Sequence, residues 1–406
     1  MTKKLLIYAA VISAAFLFVY SQENKIKLGN EILLEEKIEL IKNKRIGVVT
    51  NTAALLPDGK IFIDALLDTK EINITAIFAL EHGFELRNAA GVLINNSELD
   101  QIKIHSLYGS IKKPTRAMLN DINIILFDVQ DIGARFYTYI SSLKYILESA
   151  GQYGVKVIIL DRPNPLGGIY VDGPVLEDEF KSFIGIDNIP VVHGMTIGEL
   201  ALFFNDRIEH RAEIEIVKMQ NWKREFLWDE LNLPWENPSP NILNFETVLL
   251  YPATCFFEGT NLSEGRGTYL PFNIFGAPFI DQSSLKSEIE KELGEIFSVR
   301  AIEFIPISIP DKAPNPKYLN EGCRGVQLIL NDRKNYNPVE TAIFLLSIVN
   351  RLHKNQFKMN KHFDLLWGTD KIRELILSGE PPEEIIKSWQ QDLSIFKQLR
   401  KNYLIY

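Results

Sequence analysis

The feature that most constrains the fold is a repeated pairing of short apolar runs with polar ends. Residues 46–50, 74–80, 101–105, 122–127 and 155–160 each read as a strand. Helical segments lie between them. Residues 61–69 put Ile63, Leu66 and Leu67 on one face, and residues 114–120 start with a proline. Over residues 136–150, Tyr139, Ile140, Leu143, Ile146, Leu147 and Ala150 recur at helical spacing, and Gly151 and Gly154 end the helix. Strand and helix in alternation predict an α/β fold: a Rossmann-like, doubly wound, mostly parallel sheet covered on both faces. Ligands of such sheets sit beyond the carboxyl ends of the strands. Here Asn51 follows the first strand and Glu81-His82-Gly83 the second. Tyr108 follows the third, Asp128, Gln130 and Asp131 the fourth, and Asp161, Arg162 and Asn164 the fifth. So dense a set of ionisable groups marks this crevice as the functional site.

The remainder of the chain is less regular. Residues 169–190 read as loop. Thr196 and Glu199 form a capping box ahead of a helix over 197–204, which gives Glu199 a structural reading. A boundary is expected at residues 205/206. It separates a catalytic Rossmann-like unit, 22–205, from an auxiliary α/β or α+β unit, 206–406, that closes the cleft. In the second unit, strands are expected over 212–218, 247–251, 301–307 and 325–330, and helices over 282–297, 338–354 and the C-terminal stretch. Residues 257–268 form a glycine-rich polar loop carrying Glu258, Asn261, Glu264 and Arg266.

Composition narrows the function. Lys3 and Lys4 precede an uncharged stretch over 5–20, with small residues Val19 and Ser21 at signal-peptidase spacing. This layout predicts a secretory signal over 1–21 and a periplasmic or secreted protein. The alternative is an uncleaved anchor, but the stretch falls short of the ~20 residues that span a bilayer comfortably. No membrane span is expected once the signal is cleaved. The net charge of -8 comes without a basic patch, which excludes nucleic acid as a partner. A homodimer is allowed. Cys255 and Cys323 either pair or stay as buried free thiols.

No dinucleotide, P-loop, zinc-protease or esterase signature occurs. Carboxylates dominate instead: Glu81, Asp128, Asp131, Asp161, Glu258 and Glu264 lie at strand ends or on glycine-rich loops. Glycoside hydrolysis uses one acid to protonate the leaving oxygen and a second group at the sugar carbon. A carboxyl group held in a partly apolar crevice can keep its proton and serve as that acid. Glu81 stands where such an acid is needed. His82 orients it, binds substrate or is structural. The run from Asp128 to Tyr139, with Gln130, Asp131, Arg135 and Tyr137, mixes groups that bond sugar hydroxyls and stack on a ring. Asp131 alternatively serves a helix N-terminus, and Arg135 and Arg162 alternatively pair with the aspartates. A metal site built from Glu81, His82, Asp128 and Asp131 is awkward, because adjacent strand residues point apart. No metal or cofactor is expected. A non-catalytic periplasmic amino-sugar-binding protein is the competing reading.

Longer motifs carry a resemblance. Leu80-Glu81-His82-Gly83-Phe84, Ser106-Leu107-Tyr108-Gly109 and the run from Phe127 to Tyr139 resemble the exo-β-N-acetylmuramidase (NamZ-like) family. So do Leu160 to Pro165, Gly194 to Glu199, Pro238 to Asn241, Phe257 to Ser263 and Gly265 to Thr268. The resemblance covers nearly the whole chain after the signal. It implies a Rossmann-like domain and an auxiliary domain with the active site between them. It also implies release of terminal N-acetylmuramic acid from the non-reducing end of peptidoglycan fragments and points to Glu81 as the catalytic general acid/base; His82 and Asp128 are further catalytic candidates from their place at the strand ends. The substrate's own 2-acetamido group is the alternative to Asp128 as second group. The lactyl carboxylate of that sugar calls for a facing arginine. The chain departs from the family pattern after Phe84, where Glu85-Leu86-Arg87 replaces Arg-Gly; Arg87 is the expected substitute.

Overall fold

The computed structural model describes residues 25–93 and 95–406. The signal expected over 1–21 lies outside them.

β1 (Arg45–Thr50) is central to a seven-stranded sheet. It pairs in parallel with β2 (Asn73–Ala79) on one side and β5 (Ile124–Asp128) on the other. Beyond β2 lies β4 (Ile102–Ser106), and β3 (Ser97–Leu99) adds an antiparallel edge. Beyond β5 lie β6 (Lys156–Leu160) and β7 (Ile214–Val217), both parallel. The order β3-β4-β2-β1-β5-β6-β7 reverses direction between β1 and β5, as a doubly wound sheet requires.

Strand periodicity divides the side chains between two cores. Ile46, Val48, Ile77, Leu126 and Ile158 enter one, beneath α1 (Gly29–Glu36) and α2 (Phe62–Leu67). Val49, Phe78, Phe127, Val157 and Ile159 enter the other, beneath α3 (Tyr139–Tyr153) and α4 (Ile197–Asn205). On α3 the residues read as one face are all buried; each large apolar side chain contributes about 1.5–3 kcal/mol. Thr196 and Glu199 form the expected capping box.

The second core does not stop at the first unit. It continues without a break into Val248, Phe256, Phe275, Leu345, Trp367 and Phe396. The second unit therefore packs on one face of the large sheet. It contains a three-stranded antiparallel sheet, β8-β10-β9, formed by β8 (Ile274–Ala277), β9 (Phe297–Phe304) and β10 (Cys323–Leu330). Helices α5 (Phe245–Thr254), α6 (Gln282–Leu293) and α7 (Pro338–His353) pack around it.

Two expectations need correction. β7 is an edge strand of the large sheet, so the first unit extends past residues 205/206. The strand expected over 247–251 is part of helix α5. An apolar run that short has no period to arbitrate it. Asn244 decides, because its side chain accepts from the backbone N–H of Thr247 at 2.9 Å and caps a helix. Cys255 and Cys323 are buried free thiols. No helix among the described residues is long and apolar enough to cross a membrane.

Candidate active site

Glu81 stands just beyond β2, beside the switch point. Its Oε2 accepts from the Thr138 hydroxyl at 2.6 Å, and its Oε1 from the Gly91 N–H at 3.4 Å. The residue is buried apart from a narrow exposure of 8%. Tyr108 faces it, and that phenol is pushed up by burial and by the negative charge of Glu81.

His82 adopts a left-handed backbone with φ of 71°. Its Nδ1 lies 2.8 Å from the Asn88 carbonyl, and Asn88 returns a side-chain bond to the His82 carbonyl at 3.1 Å. A carbonyl only accepts, so Nδ1 carries the proton. Burial lowers the ring's pKa, which keeps it neutral and leaves Nε2 as an acceptor. His82 thus ties down the loop that brings Gly91 to Glu81. Arg87 does not substitute in the site. Its side chain is 78% exposed and pairs with Glu85 at 3.3 Å, while Leu86 takes a φ of 57°.

The facing wall comes from the second unit. A cleft of about 480 Å³ is lined by Ala89 to Val92 on one side and by Glu258, Glu264, Arg266, Lys312, Lys317 and His362 on the other. Arg266 donates to Glu258 Oε1 from Nε at 3.2 Å and from Nη2 at 2.7 Å, and lies 3.5 Å from Glu264. Burial alone would raise the Glu258 carboxyl. The Arg266 charge overrides it and holds Glu258 at about 2. Lys317 Nζ is spent on the carbonyls of Phe257 and Leu262 and on Glu264.

Other residues of the expected site serve structure. Asp128 is fully buried, and both its oxygens are taken by Arg162, Nε at 2.5 Å and Nη2 at 2.9 Å, with Asn30 adding 3.2 Å. It is not free to attack a sugar carbon. Asp161 accepts from the Arg162 and Gly198 N–H groups, the Thr196 hydroxyl and the Tyr406 hydroxyl, so it anchors a helix start and the C-terminus. Burial pushes it up to about 6. Arg135 has no exposure; it donates to the carbonyls of Pro174, Ile189 and Leu366 and joins the two units. Asn164 bonds the Met195 carbonyl and the Leu166 N–H, and Asn261 bridges to Gln356 and Lys358. Asn51 donates to the Tyr139 hydroxyl at 3.1 Å, and Tyr137 packs edge-on against Tyr139 with centroids 4.9 Å apart.

Gln130 and Asp131 form a separate buried polar nest. Gln130 donates to the carbonyls of Asp131 and Pro163. Asp131 Oδ2 accepts from the Gly133 N–H at 2.7 Å, and burial pushes this carboxyl up to about 7. His193 Nε2 lies 3.9 Å from it. His193 Nδ1 accepts from the Met195 N–H, so the proton sits on Nε2, facing Asp131. Sequence reasoning missed Thr138, His193 and Lys317. Thr138 was legible only as part of the aromatic run around it. Among the described residues, no group of three His, Cys, Asp or Glu is arranged to hold a metal ion.

The fold is a doubly wound α/β sheet with a carboxylate at a strand end, faced across a cleft by a charged wall from a second unit. The chain belongs to the exo-beta-N-acetylmuramidase NamZ family. The model of the family's N-terminal domain matches residues 46–246, and that of its C-terminal domain matches 249–406. The chain is 39% identical over 390 residues to the peptidoglycan beta-N-acetylmuramidase NamZ of Bacillus subtilis (strain 168), covering 95% of this chain and 92% of that protein. Crystal structures of two DUF1343 family proteins from Bacteroides fragilis NCTC 9343 superpose with TM-scores of 0.85 and 0.75, at 29% and 33% identity. Both cover 94% of this chain and 99% of the other.

Proposed function

We propose that the protein is an exo-acting glycosidase that releases terminal β-linked N-acetylmuramic acid from the non-reducing end of peptidoglycan fragments, with Glu81 as general acid/base. The observation that carries this reading is the setting of Glu81. It is a nearly enclosed carboxyl group, gripped by Thr138 and by Gly91, and Gly91 lines the cleft that Arg266 closes. A proton from Glu81 goes to the leaving glycosidic oxygen as the bond to the sugar carbon breaks; over the whole reaction a water oxygen bonds to that carbon and a water proton returns to Glu81. His82 keeps the loop in place, and Tyr108 faces the same carboxyl.

The test is a MurNAc–GlcNAc disaccharide assay on wild type and Glu81→Gln together. Wild type is expected to release free N-acetylmuramic acid. The variant is expected to lose about 10²–10⁴-fold in kcat while unfolding at the wild-type temperature. A fully active variant removes Glu81 from the chemistry, and binding without any product favours a sugar-binding protein instead. Export belongs to the same proposal, with cell-wall recycling as the setting. Sequencing the N-terminus of protein recovered from cells is expected to find the chain starting after Ser21. The homodimer allowed by the sequence is tested by sedimentation.

A further inference from the structure

A muramic acid ring differs from a glucosamine ring by its lactyl ether, whose carboxylate is ionised at neutral pH. An enzyme specific for it needs a cation fixed at one point of the cleft. Four arginines were candidates for it by their place in the chain: Arg87, Arg135, Arg162 and Arg266. Arg135 is buried on three carbonyls. Arg162 is spent on Asp128 and the Leu55 carbonyl. Arg87 lies in solvent beside Glu85. Arg266 alone among these lines the cleft.

Its presentation is built rather than incidental. Gly265 and Gly267, with φ of 82° and 80°, turn the chain so that Arg266 projects between them. A Cβ at either position would meet Ile274 or Pro316 at 2.7 Å, so the left-handed turn and the close packing both call for glycine. Glu258 takes the Nε and Nη2 edge, and the guanidinium lies 5.0 Å from the Phe272 ring centroid. Among the described residues, no acceptor is paired with Nη1. The side chain is 20% exposed. A guanidinium held on one edge, with its third nitrogen open, suits a carboxylate ligand. The wall as a whole favours an anion: Arg266, Lys312 and Lys317 outnumber Glu258 and Glu264.

We propose that Arg266, fixed by Glu258 between Gly265 and Gly267, is the subsite for the lactyl carboxylate, and so the residue that selects a muramic over a glucosamine ring. This rests on the muramidase reading. Its test is binding, which does not require turnover, so the two can fail separately.

Calorimetric titration of the full-length wild-type protein uses N-acetylmuramic acid and its lactyl amide. The acid is expected to bind about 10–100-fold more tightly, a ratio set by one charge-assisted contact. Arg266→Gln is expected to reduce that ratio below about threefold with little change for the amide. Removing Arg266 leaves Glu258 with only His362 beside it, so Arg266→Lys serves as a second variant that keeps the charge; an intermediate ratio is expected. Equal binding of acid and amide by wild type overturns the proposal. So does an undiminished ratio in either Arg266 variant, or loss of the ratio in Lys312→Gln with Arg266 intact. Loss of disaccharide turnover with the acid preference retained would remove the reaction but leave the subsite standing.

Discussion

Replacing Asp128 separates a structural ion pair from a catalytic carboxylate. Arg162 grips both oxygens of Asp128, and both residues are essentially without solvent. Asp128→Asn keeps the shape but leaves the Arg162 charge with neutral acceptors alone, the new amide oxygen and the Leu55 carbonyl, and turns an N–H donor toward the guanidinium. Breaking one side of a buried pair costs about 3–5 kcal/mol. For a chain of this length that corresponds to a fall in Tm of roughly 4–6 °C. Replacing both partners with uncharged groups, Asp128→Asn with Arg162→Met, is expected to recover much of the loss, because no uncompensated charge remains. The assay is thermal unfolding of the two single variants and the double variant, with kcat measured well below the onset of unfolding. Asp128→Asn is expected to keep kcat within about tenfold of wild type, far from the 10²–10⁴-fold loss of an acid/base group. A hundredfold loss of kcat at unchanged Tm would refute the reasoning. So would single-variant losses that simply add in the double variant.

Other perturbations follow from the same geometry. Burial pushes Asp131 from 3.8 up to about 7, so the folded state holds a proton that the unfolded chain releases across that window. Stability is therefore lost as pH rises from about 4 to about 7, by at most roughly 4 kcal/mol. Asp131→Asn is expected to match wild type in urea unfolding near pH 4 and to exceed it at pH 8; a gap that does not vary with pH overturns this. Arg135→Met strands the carbonyls of Pro174, Ile189 and Leu366. A loss on the order of 3 kcal/mol is expected, since relief from burying a cation offsets part of the cost; an unchanged urea midpoint would show the contact to be idle. Asn88→Ala frees the loop that His82 holds and is expected to lower kcat about tenfold while Tm changes little, which steady-state kinetics and a melting curve decide.

Local pattern made the large sheet legible. Its central strands are buried on both sides, and their runs of Ile, Val, Leu and Phe end abruptly in polar residues, so position along the chain gave both the strand and its polar end. Glu81 is a candidate on that pattern because it stands just beyond β2. The same logic over-selected. Asp128, Asp161 and Arg162 also stand at strand ends, yet they spend their hydrogen bonds on one another, on Thr196 and on Tyr406. Nothing in a linear pattern tells a carboxylate facing solvent from one facing an arginine.

By itself, then, the sequence determined which segments form the strands of the large sheet and which end of it gathers the ionisable residues, because side-chain period and turn residues act over a few neighbours. Tertiary structure alone decided which charges stay free. Arg135 and Arg266 are both arginines in polar runs, separated only by what folds against them. Arg135 meets three carbonyls, one of them from a residue more than two hundred positions away, and is consumed. Arg266 meets a carboxylate on one edge and keeps its other edge at the cleft. Long-range partners set the desolvation and pairing of each charge.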